Sequence, residues 1–199
     1  MNISVASTIK IEEFLKLPDI DESPAWEYID GVAIQKTMPK IRHSILQKQL
    51  ITEVDNHSQK YAALPELRCN FWGRSIVPDV AVIAWESFKI NEIGEPEDNF
   101  FQAPDWSIEI LSPDQKANRF IDNLLHCIKY GCQLGWMIDP DDYSVLIFTP
   151  QQAPQVCRGN SPLQVLKEID LELTAEQVFS WLKIGKTQIQ DKLIKGDRR

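Results

Sequence analysis

The sequence lacks the features by which several protein classes are recognised. None of its apolar runs approaches the length of a membrane span, and its mean hydropathy is -0.27. The first residues do not combine a basic region with a following apolar one, so we expect no signal peptide. We therefore expect a soluble, cytoplasmic protein that does not bind a membrane. The 199 residues contain no internal repeat and predict one domain over 1–185, followed by a frayed basic tail over 186–199.

The cysteines form no recognisable pattern. None of the four belongs to a Cys-x-x-Cys pair, so neither a zinc site nor a disulfide framework is supported. We interpret all of them as reduced and structural: Cys69, Cys127, Cys132 and Cys157.

Positive charge is also scarce. Lysine and arginine total 21 against 29 acidic residues, which gives a net charge of -8. This excess of negative charge disfavours nucleic-acid binding that depends on the overall charge of the protein. A local basic face or a bound divalent cation can still invert the sign at one site. Two local basic clusters exist, one at Lys36, Lys40 and Arg42 and one at the end of the chain.

Two acids stand inside short apolar runs. Asp79 lies within Ser75–Ile83, and Glu109 lies within Trp106–Ser112. Both runs are rich in Ile and Val and are bounded by turn signals, so they predict mostly buried strands. A carboxylate there is unfavourable unless its charge is compensated, and a shared Mg²⁺ would compensate it. In the alternative interpretation, Asp79 caps a turn after Pro78 and Glu109 pairs with a buried cation.

Periodicity and turn signals predict a mixed α/β chain. We expect helices over 9–17, 41–61, 112–131 and 174–182, and loops over 62–65, 87–104 and 150–162. We expect strands over 26–34 (a hairpin), 66–72, 75–83, 106–112, 134–139, 144–148 and 163–171. The predicted fold class is α/β, with a mixed sheet flanked by helices. Its parallel pair would be the Glu109 strand and the Leu134 strand, joined by a crossover helix.

Five motifs occur in the order that they take in one protein family. They are Trp26–Gly31, the helix with His43, Val77–Val80, Ile108–Pro113 and Gly131–Pro140. Over about residues 10 to 183, the sequence resembles the restriction-endonuclease-like family catalogued as domain of unknown function 820, also called Uma-two. That family resembles the PD-(D/E)XK nuclease superfamily, which implies a restriction-endonuclease-like core.

The resemblance implies a metal-dependent endonuclease that hydrolyses DNA phosphodiester bonds. It assigns Mg²⁺ or Mn²⁺ to Asp79 and Glu109, with the backbone carbonyl of Leu111 as a further ligand and Glu27 as a supporting acid. Such an ion neutralises the phosphate and activates the attacking water. Without the ion, the clustered carboxylates should raise the pKa of at least one of them. A homodimer would follow by analogy with nucleases that cut two strands.

The site departs from the pattern at its lysine. The superfamily's lysine would stand at Leu111 and the family's at Asn123, eight residues before Gly131. Asparagine cannot supply a positive charge to the reacting phosphate. Arg119, one helical turn earlier, is a possible substitute cation, although it cannot act as a base. His43, at the start of a helix, is a candidate for a phosphate contact or for acid–base chemistry; the alternative is a structural role.

Two functions from different classes stay open. The first is an endonuclease with a degenerate site that lacks the usual lysine. The second is a catalytically inactive nuclease-fold protein that binds nucleic acid or a protein partner, which Asn123 and the acidic net charge favour. An enzyme acting on other substrates has only the acid pair in its favour. Metal binding that depends on Asp79 would distinguish the first function from the second.

Overall fold

The structure, a computed structural model, describes residues 9–113 and 115–184, and the predicted basic tail over 186–199 lies outside them. Its helices are α1 (Ile11–Phe14), α2 (Ile41–His57), α3 (Ala117–Lys129) and α4 (Ala175–Ser180). Its strands are β1 (Trp26–Ile29), β2 (Val32–Gln35), β3 (Tyr61–Pro65), β4 (Cys69–Phe71), β5 (Arg74–Ile76), β6 (Val80–Ala84), β7 (Trp106–Ile110), β8 (Leu134–Asp139), β9 (Ser144–Phe148), β10 (Gln155–Arg158), β11 (Pro162–Leu163) and β12 (Leu173–Thr174).

The central sheet has six strands in the order β10, β9, β8, β7, β6, β3. Strands β7 and β8 are parallel, with Glu109 opposite Met137, and the chain crosses between them through α3. The other neighbouring strands of this sheet are antiparallel. A second sheet has the order β2, β1, β5, β4, and β11 pairs with β12. The predicted mixed sheet, its parallel pair and its crossover helix are therefore confirmed.

The side chains of β7 alternate between two environments. Trp106, Ile108 and Ile110 belong to the larger apolar core, together with apolar residues of β6, β8 and α2. Ser107 and Glu109 point to the opposite face of the sheet, against which α3 packs. One strand therefore contributes both to the main core and to a buried acidic position.

The strand predicted over 75–83 is wrong as a single unit, because this stretch forms two strands in two different sheets. Strand β5 ends just before Val77, and β6 begins just after Asp79. Pro78 has no N–H to donate and restricts the backbone of Val77, so a regular ladder does not continue through this point. Asp79 therefore lies in the connection between the two sheets.

Other predicted boundaries change where strand pairing overrides local signals. The helix predicted over 41–61 ends at His57, and the break predicted over 62–65 is part of β3, which pairs with β6 along five residues. The loop predicted over 150–162 contains β10, which pairs with β9. The strand predicted over 163–171 is wrong: only its first residue belongs to a strand, β11. Local turn residues do not reveal which other strand a segment pairs with.

The strands predicted over 134–139 and 144–148 have the predicted bounds, and the hairpin predicted over 26–34 extends to Gln35. Other predicted elements are present with shorter bounds. The helices predicted over 9–17, 112–131 and 174–182 correspond to α1, α3 and α4, and the strand predicted over 66–72 corresponds to β4. Thr174 caps α4, since its hydroxyl accepts a hydrogen bond from the Gln177 N–H at 3.2 Å. In the predicted acidic loop, residues 89–99 are exposed.

The cysteines are buried free thiols, as predicted. Burial raises the pKa of Cys132 to about 12, so its thiol is unreactive at neutral pH. Among the helices within 9–113 and 115–184, none is long and apolar enough to cross a membrane.

Candidate active site

Three predicted acids meet where the two sheets adjoin. Glu27 lies on β1, Asp79 follows β5, and Glu109 lies on β7; these residues are 2%, 2% and 1% exposed. Two hydrogen bonds join their elements. The Val77 N–H donates to Glu27 Oε1 at 3.0 Å, and the Ile110 N–H donates to Asp79 Oδ2 at 2.7 Å. We call these three carboxylates the acid centre.

Asp79 is the best-compensated carboxylate of the acid centre. Lys36 Nζ donates to its Oδ1 at 2.7 Å, and His43 Nε2 lies 3.0 Å from its Oδ2. Gln47 Nε2 donates to its backbone carbonyl at 2.7 Å. Burial alone would raise the pKa of Asp79, but the Lys36 ammonium and the His43 contact outweigh it and hold that pKa well below its usual range. Asp79 is therefore ionised at neutral pH.

Lys36 is the cation that the sequence interpretation missed. Its side chain is 9% exposed, and its ammonium also donates to the Val77 carbonyl at 2.6 Å. Burial lowers the pKa of Lys36, but the nearby charges of Asp79, Glu109 and Glu27 outweigh that effect and raise it. The ammonium therefore stays charged. The predicted site without a lysine is thus corrected: a lysine reaches the acids from the end of the hairpin.

The hairpin register could have indicated Lys36. Glu27 pairs with Ile34 across β1 and β2, and cross-strand partners point to the same face. Lys36 lies two residues beyond Ile34 and therefore on that face too. Its N–H still bonds to the Ala25 carbonyl at 2.9 Å, so the hairpin register extends this far.

Glu109 is the least compensated carboxylate. Neither of its side-chain oxygens has a hydrogen-bond partner among the described residues. Burial raises the pKa of Glu109 well above its usual range, and the charges of Asp79 and Glu27 add to this effect against the opposing Lys36 and Arg119. Glu109 is therefore protonated far above the pH at which an exposed glutamate ionises.

Arg119 and Asn123 of α3 both face Glu27. Arg119 Nη2 forms an ion pair with Glu27 Oε2, and Asn123 Nδ2 lies 3.5 Å from both oxygens of Glu27. Asn123 is 1% exposed, and its Oδ1 has no partner within the described part of the chain. The expected lysine position therefore does point into the acid centre. Arg119 was predicted as a possible substitute for the missing lysine. Its guanidinium instead pairs with Glu27, the predicted supporting acid.

His43 and Leu111 lie at the mouth of the acid centre. His43 is 5% exposed, and its Nδ1 has no hydrogen-bond partner over the residues described. The Leu111 N–H donates to the Ile138 carbonyl at 2.9 Å, so β7 keeps its alignment with β8 just beyond Ile110. Both residues line one cavity. The role of the Leu111 carbonyl as a metal ligand stays a prediction.

The chemistry of the acid centre fits a hard divalent cation. Asp79 is ionised, and the oxygens of Glu109 have no hydrogen-bond partner in the described part of the chain. Mg²⁺ is commonly held by one or two carboxylates together with water and substrate oxygens. Within 9–113 and 115–184, no three His, Cys, Asp or Glu side chains are arranged to hold a metal ion. The described residues therefore do not surround a metal ion completely. They fit a site at which only a few of the ligands come from the protein.

Comparison with known proteins identifies similar chains. Residues 11–177 match the family Uma2, which is described as "Putative restriction endonuclease". The crystal structure of "a putative nuclease belonging to DUF820" from Anabaena variabilis is 41% identical, with a TM-score of 0.84. The match covers 87% of this chain and 99% of that chain. No curated protein matches significantly. The predicted resemblance and the restriction-endonuclease-like fold class are confirmed.

Proposed function

This chain belongs to the Uma2 family of putative restriction endonucleases, and we propose that it is a metal-dependent endonuclease that hydrolyses DNA phosphodiester bonds at the acid centre. One observation carries this proposal: Glu109 is 1% exposed, lies beside Asp79, and has no hydrogen-bond partner for either oxygen among the described residues. An unpaired buried carboxylate destabilises a fold, so it is more readily explained as a ligand for an ion than as a structural group.

Asp79 and Glu109 would hold Mg²⁺ or Mn²⁺, with the Leu111 carbonyl as a further ligand. When bound, the ion would neutralise the phosphate and lower the pKa of a water molecule. Overall, hydrolysis forms a bond from a water oxygen to phosphorus and breaks the bond from phosphorus to the leaving oxygen; the water gives up a proton to solvent, and the leaving oxygen takes one up. The chain's own contribution begins with Asp79, whose carboxylate is oriented by the Ile110 N–H at 2.7 Å and by His43 at 3.0 Å.

Lys36 takes the electrostatic role of the missing lysine. It remains protonated, since the three acids raise its pKa, so it stabilises negative charge and does not act as a base. A fixed ammonium beside the phosphate favours the transition state, in which charge builds up on the oxygens. Its contact with the Val77 carbonyl at 2.6 Å fixes its position relative to the connection between β5 and β6.

Glu27 is a positioning residue. It accepts a hydrogen bond from the Val77 N–H and pairs with Arg119, so it links the β5–β6 connection to α3. Because Asp79 lies two residues after Val77, this link sets where the Asp79 carboxylate can lie. Asn123 Nδ2 lies 3.5 Å from both oxygens of Glu27 and supports the Glu27 carboxylate from α3.

Nicking of supercoiled plasmid in Mg²⁺ and in Mn²⁺ tests the proposal. We expect the wild-type protein to nick the plasmid, Asp79→Asn to lose this activity, and the exposed Asp170→Asn to keep it. Lys36→Met should lower the rate by about 10²–10³-fold, the effect of removing one preorganised donor of this kind. No nicking by folded, metal-supplied wild-type protein would overturn the enzymatic proposal.

A second candidate function is a catalytically inactive nuclease-fold protein that binds nucleic acid or a protein partner. The Lys36–Asp79 ion pair favours it, because this pair neutralises one acid of the centre without any metal. Under this function, the ammonium acts only as a structural counter-ion. Mn²⁺ binding that is independent of Asp79, or no Mn²⁺ binding, would make it the better explanation.

A further inference from the structure

A cavity of about 510 Å³ opens next to the acid centre. It lies where the chain leaves the carboxyl ends of the parallel strands β7 and β8 and where α2 begins. Its walls are mainly apolar and are formed by Pro39, Ile41, Leu111, Pro113 and Pro140, with His43 among the polar residues that line it. His43 also contacts Asp79 at 3.0 Å, so the cavity and the acid centre share a wall.

Ile41 is an exposed part of this wall. It is the first residue of α2, and it is 78% exposed. Beside it, Arg42 donates to Asp141 at 2.6 Å and contacts the Pro140 carbonyl, so its guanidinium joins α2 to the turn after β8. Lys40 forms no ion pair with any residue that the structure describes. An apolar surface thus lies beside a positive charge that forms no ion pair with a described residue.

The beginning of α2 is also open to an anion. Lys40, the residue before the helix, makes no side-chain capping bond, and the first turn of this described helix has no acidic residue. Such a turn presents backbone N–H groups and the positive end of the helix dipole. An independent observation points the same way. His43 is 5% exposed and lines the cavity, and its Nδ1 has no partner within the described ranges.

We propose that this cavity binds an unpaired nucleobase of the substrate strand, so that the protein cleaves single strands, and the locally unpaired strands of supercoiled plasmid, in preference to fully paired duplex DNA. The base would lie against Ile41 and the prolines, and its adjoining phosphate would bind Lys40 and the first turn of α2. His43 Nδ1 would hydrogen-bond the same nucleotide. The inference rests on the proposed function, because it places this nucleotide next to the phosphate that is cleaved.

The shape and polarity of the cavity favour an unpaired base. In a duplex, both faces of a base are covered by stacking, and the outer surface presents phosphates and base edges. Only an unpaired or flipped base can bring its apolar face into a concave apolar pocket. A volume of about 510 Å³ also falls in the range of pockets that enclose small organic groups. An acidic protein with few basic residues gains less from duplex phosphates than from such a pocket.

The test measures DNA binding apart from catalysis. Fluorescence anisotropy would follow a labelled oligodeoxythymidylate and a labelled hairpin duplex of equal length, both in EDTA. Wild-type protein should bind the single strand about tenfold more tightly than the duplex. Ile41→Asp should weaken single-strand binding about tenfold, as expected when an apolar contact to one base is lost. Ile93→Asp is the matched control, because Ile93 is 77% exposed and does not line the cavity.

Equal effects of the two aspartate variants, or tighter binding of the duplex, would overturn the inference. Calorimetric Mn²⁺ titration of Ile41→Asp separates this failure from that of the proposed function. A variant that binds Mn²⁺ normally while single-strand binding falls supports both proposals. Wild-type protein that binds the single strand through Ile41 but binds no Mn²⁺ supports the nucleobase site and contradicts the nuclease.

Discussion

The two faces of the central sheet differ in chemistry although both are buried. On β7, Trp106 and Ile108 are 0% exposed on one face, and Ser107 and Glu109 are each 1% exposed on the other. The first pair belongs to the main apolar core, where the rings of Trp106 and Trp136 meet edge to face at 4.7 Å. The hydroxyl of Ser107 and both oxygens of Glu109 lack partners among the described residues. Trp106 Nε1 on the first face also lacks a described partner, but only the second face contains unpaired carboxyl oxygens, whose burial opposes folding most.

This difference indicates where in the molecule a functional site can be sought. Burial of apolar groups needs no further explanation, because it lowers the free energy of the folded state. Burial of unpaired carboxylates opposes folding, so it marks a place where another requirement prevails. The predictions below separate the two faces by the size and sign of their effects on stability.

The largest effect is expected from breaking the compensated part of the acid centre. Asp79→Ala leaves the charged Lys36 buried without its partner, and we expect a loss of about 3–5 kcal/mol in the free energy of unfolding. Urea denaturation measures this loss. Lys36→Met in the same background should recover part of the stability, because it removes the stranded charge. Strictly additive effects of the two substitutions would contradict the coupling described for this pair.

A large effect of a different kind is expected on the apolar face. Ile108→Ala removes a side chain that is fully buried in the main core, and we expect a loss of about 3 kcal/mol from lost burial and the cavity left behind. Because no titratable group is involved, the loss should be the same at acidic and neutral pH. A loss that changes with pH would mean that the two faces are not energetically separate.

Glu109→Gln should have the opposite sign at neutral pH. Since the folded pKa of Glu109 is raised above its ordinary value of 4.5, the folded state keeps a proton that the unfolded state loses. Wild-type stability therefore falls as pH rises from about that value through the raised folded pKa. The glutamine variant lacks this decrease, so we expect a gain of about 1–3 kcal/mol at neutral pH. Denaturation at acidic and neutral pH would show whether the gain grows with pH.

The smallest effect is expected at Gly135, where α3 approaches the sheet closely. A Cβ added there would lie 3.1 Å from Leu124 Cδ2 and 3.3 Å from Phe148 Cβ. We expect Gly135→Ala to destabilise the protein by about 1–2 kcal/mol through crowding between α3 and β8. A thermal melt would detect it. A stabilised variant would show that α3 can move away from the sheet without loss.

The sequence was sufficient to predict those parts of the fold and of the acid centre that depend on local pattern. The buried strand around Glu109, the hairpin over 26–34 and the parallel pair follow from residue pattern and turn signals. The resemblance also pointed to Glu27, Asp79 and Glu109, which do come together. Strand β3 was missed because its partner β6 lies beyond β4 and β5, and β10 was missed because the prolines and glutamines around it indicate a loop. Pairing energy cannot be read from neighbouring residues.

The electrostatics of the acid centre could not be predicted in the same way. Lys36 appeared to be one member of a surface basic cluster, whereas its side chain is 9% exposed and bonded to Asp79. Its position depends on the break at Pro78, which brings the β5–β6 connection against the end of the hairpin. Arg119 was predicted as a possible substitute cation, and only the packing of α3 shows that it pairs with Glu27.

The most direct test of the acid centre as a metal site is calorimetric titration of Mn²⁺ into three proteins: wild type, Glu109→Gln, and the exposed control Glu92→Gln. We predict saturable binding by wild type and by the control, and a loss of about tenfold or more in the affinity of Glu109→Gln, the effect of removing one carboxylate ligand. Equal affinities in all three folded proteins, or no binding by wild type, would contradict the proposal that the acid centre is a metal site.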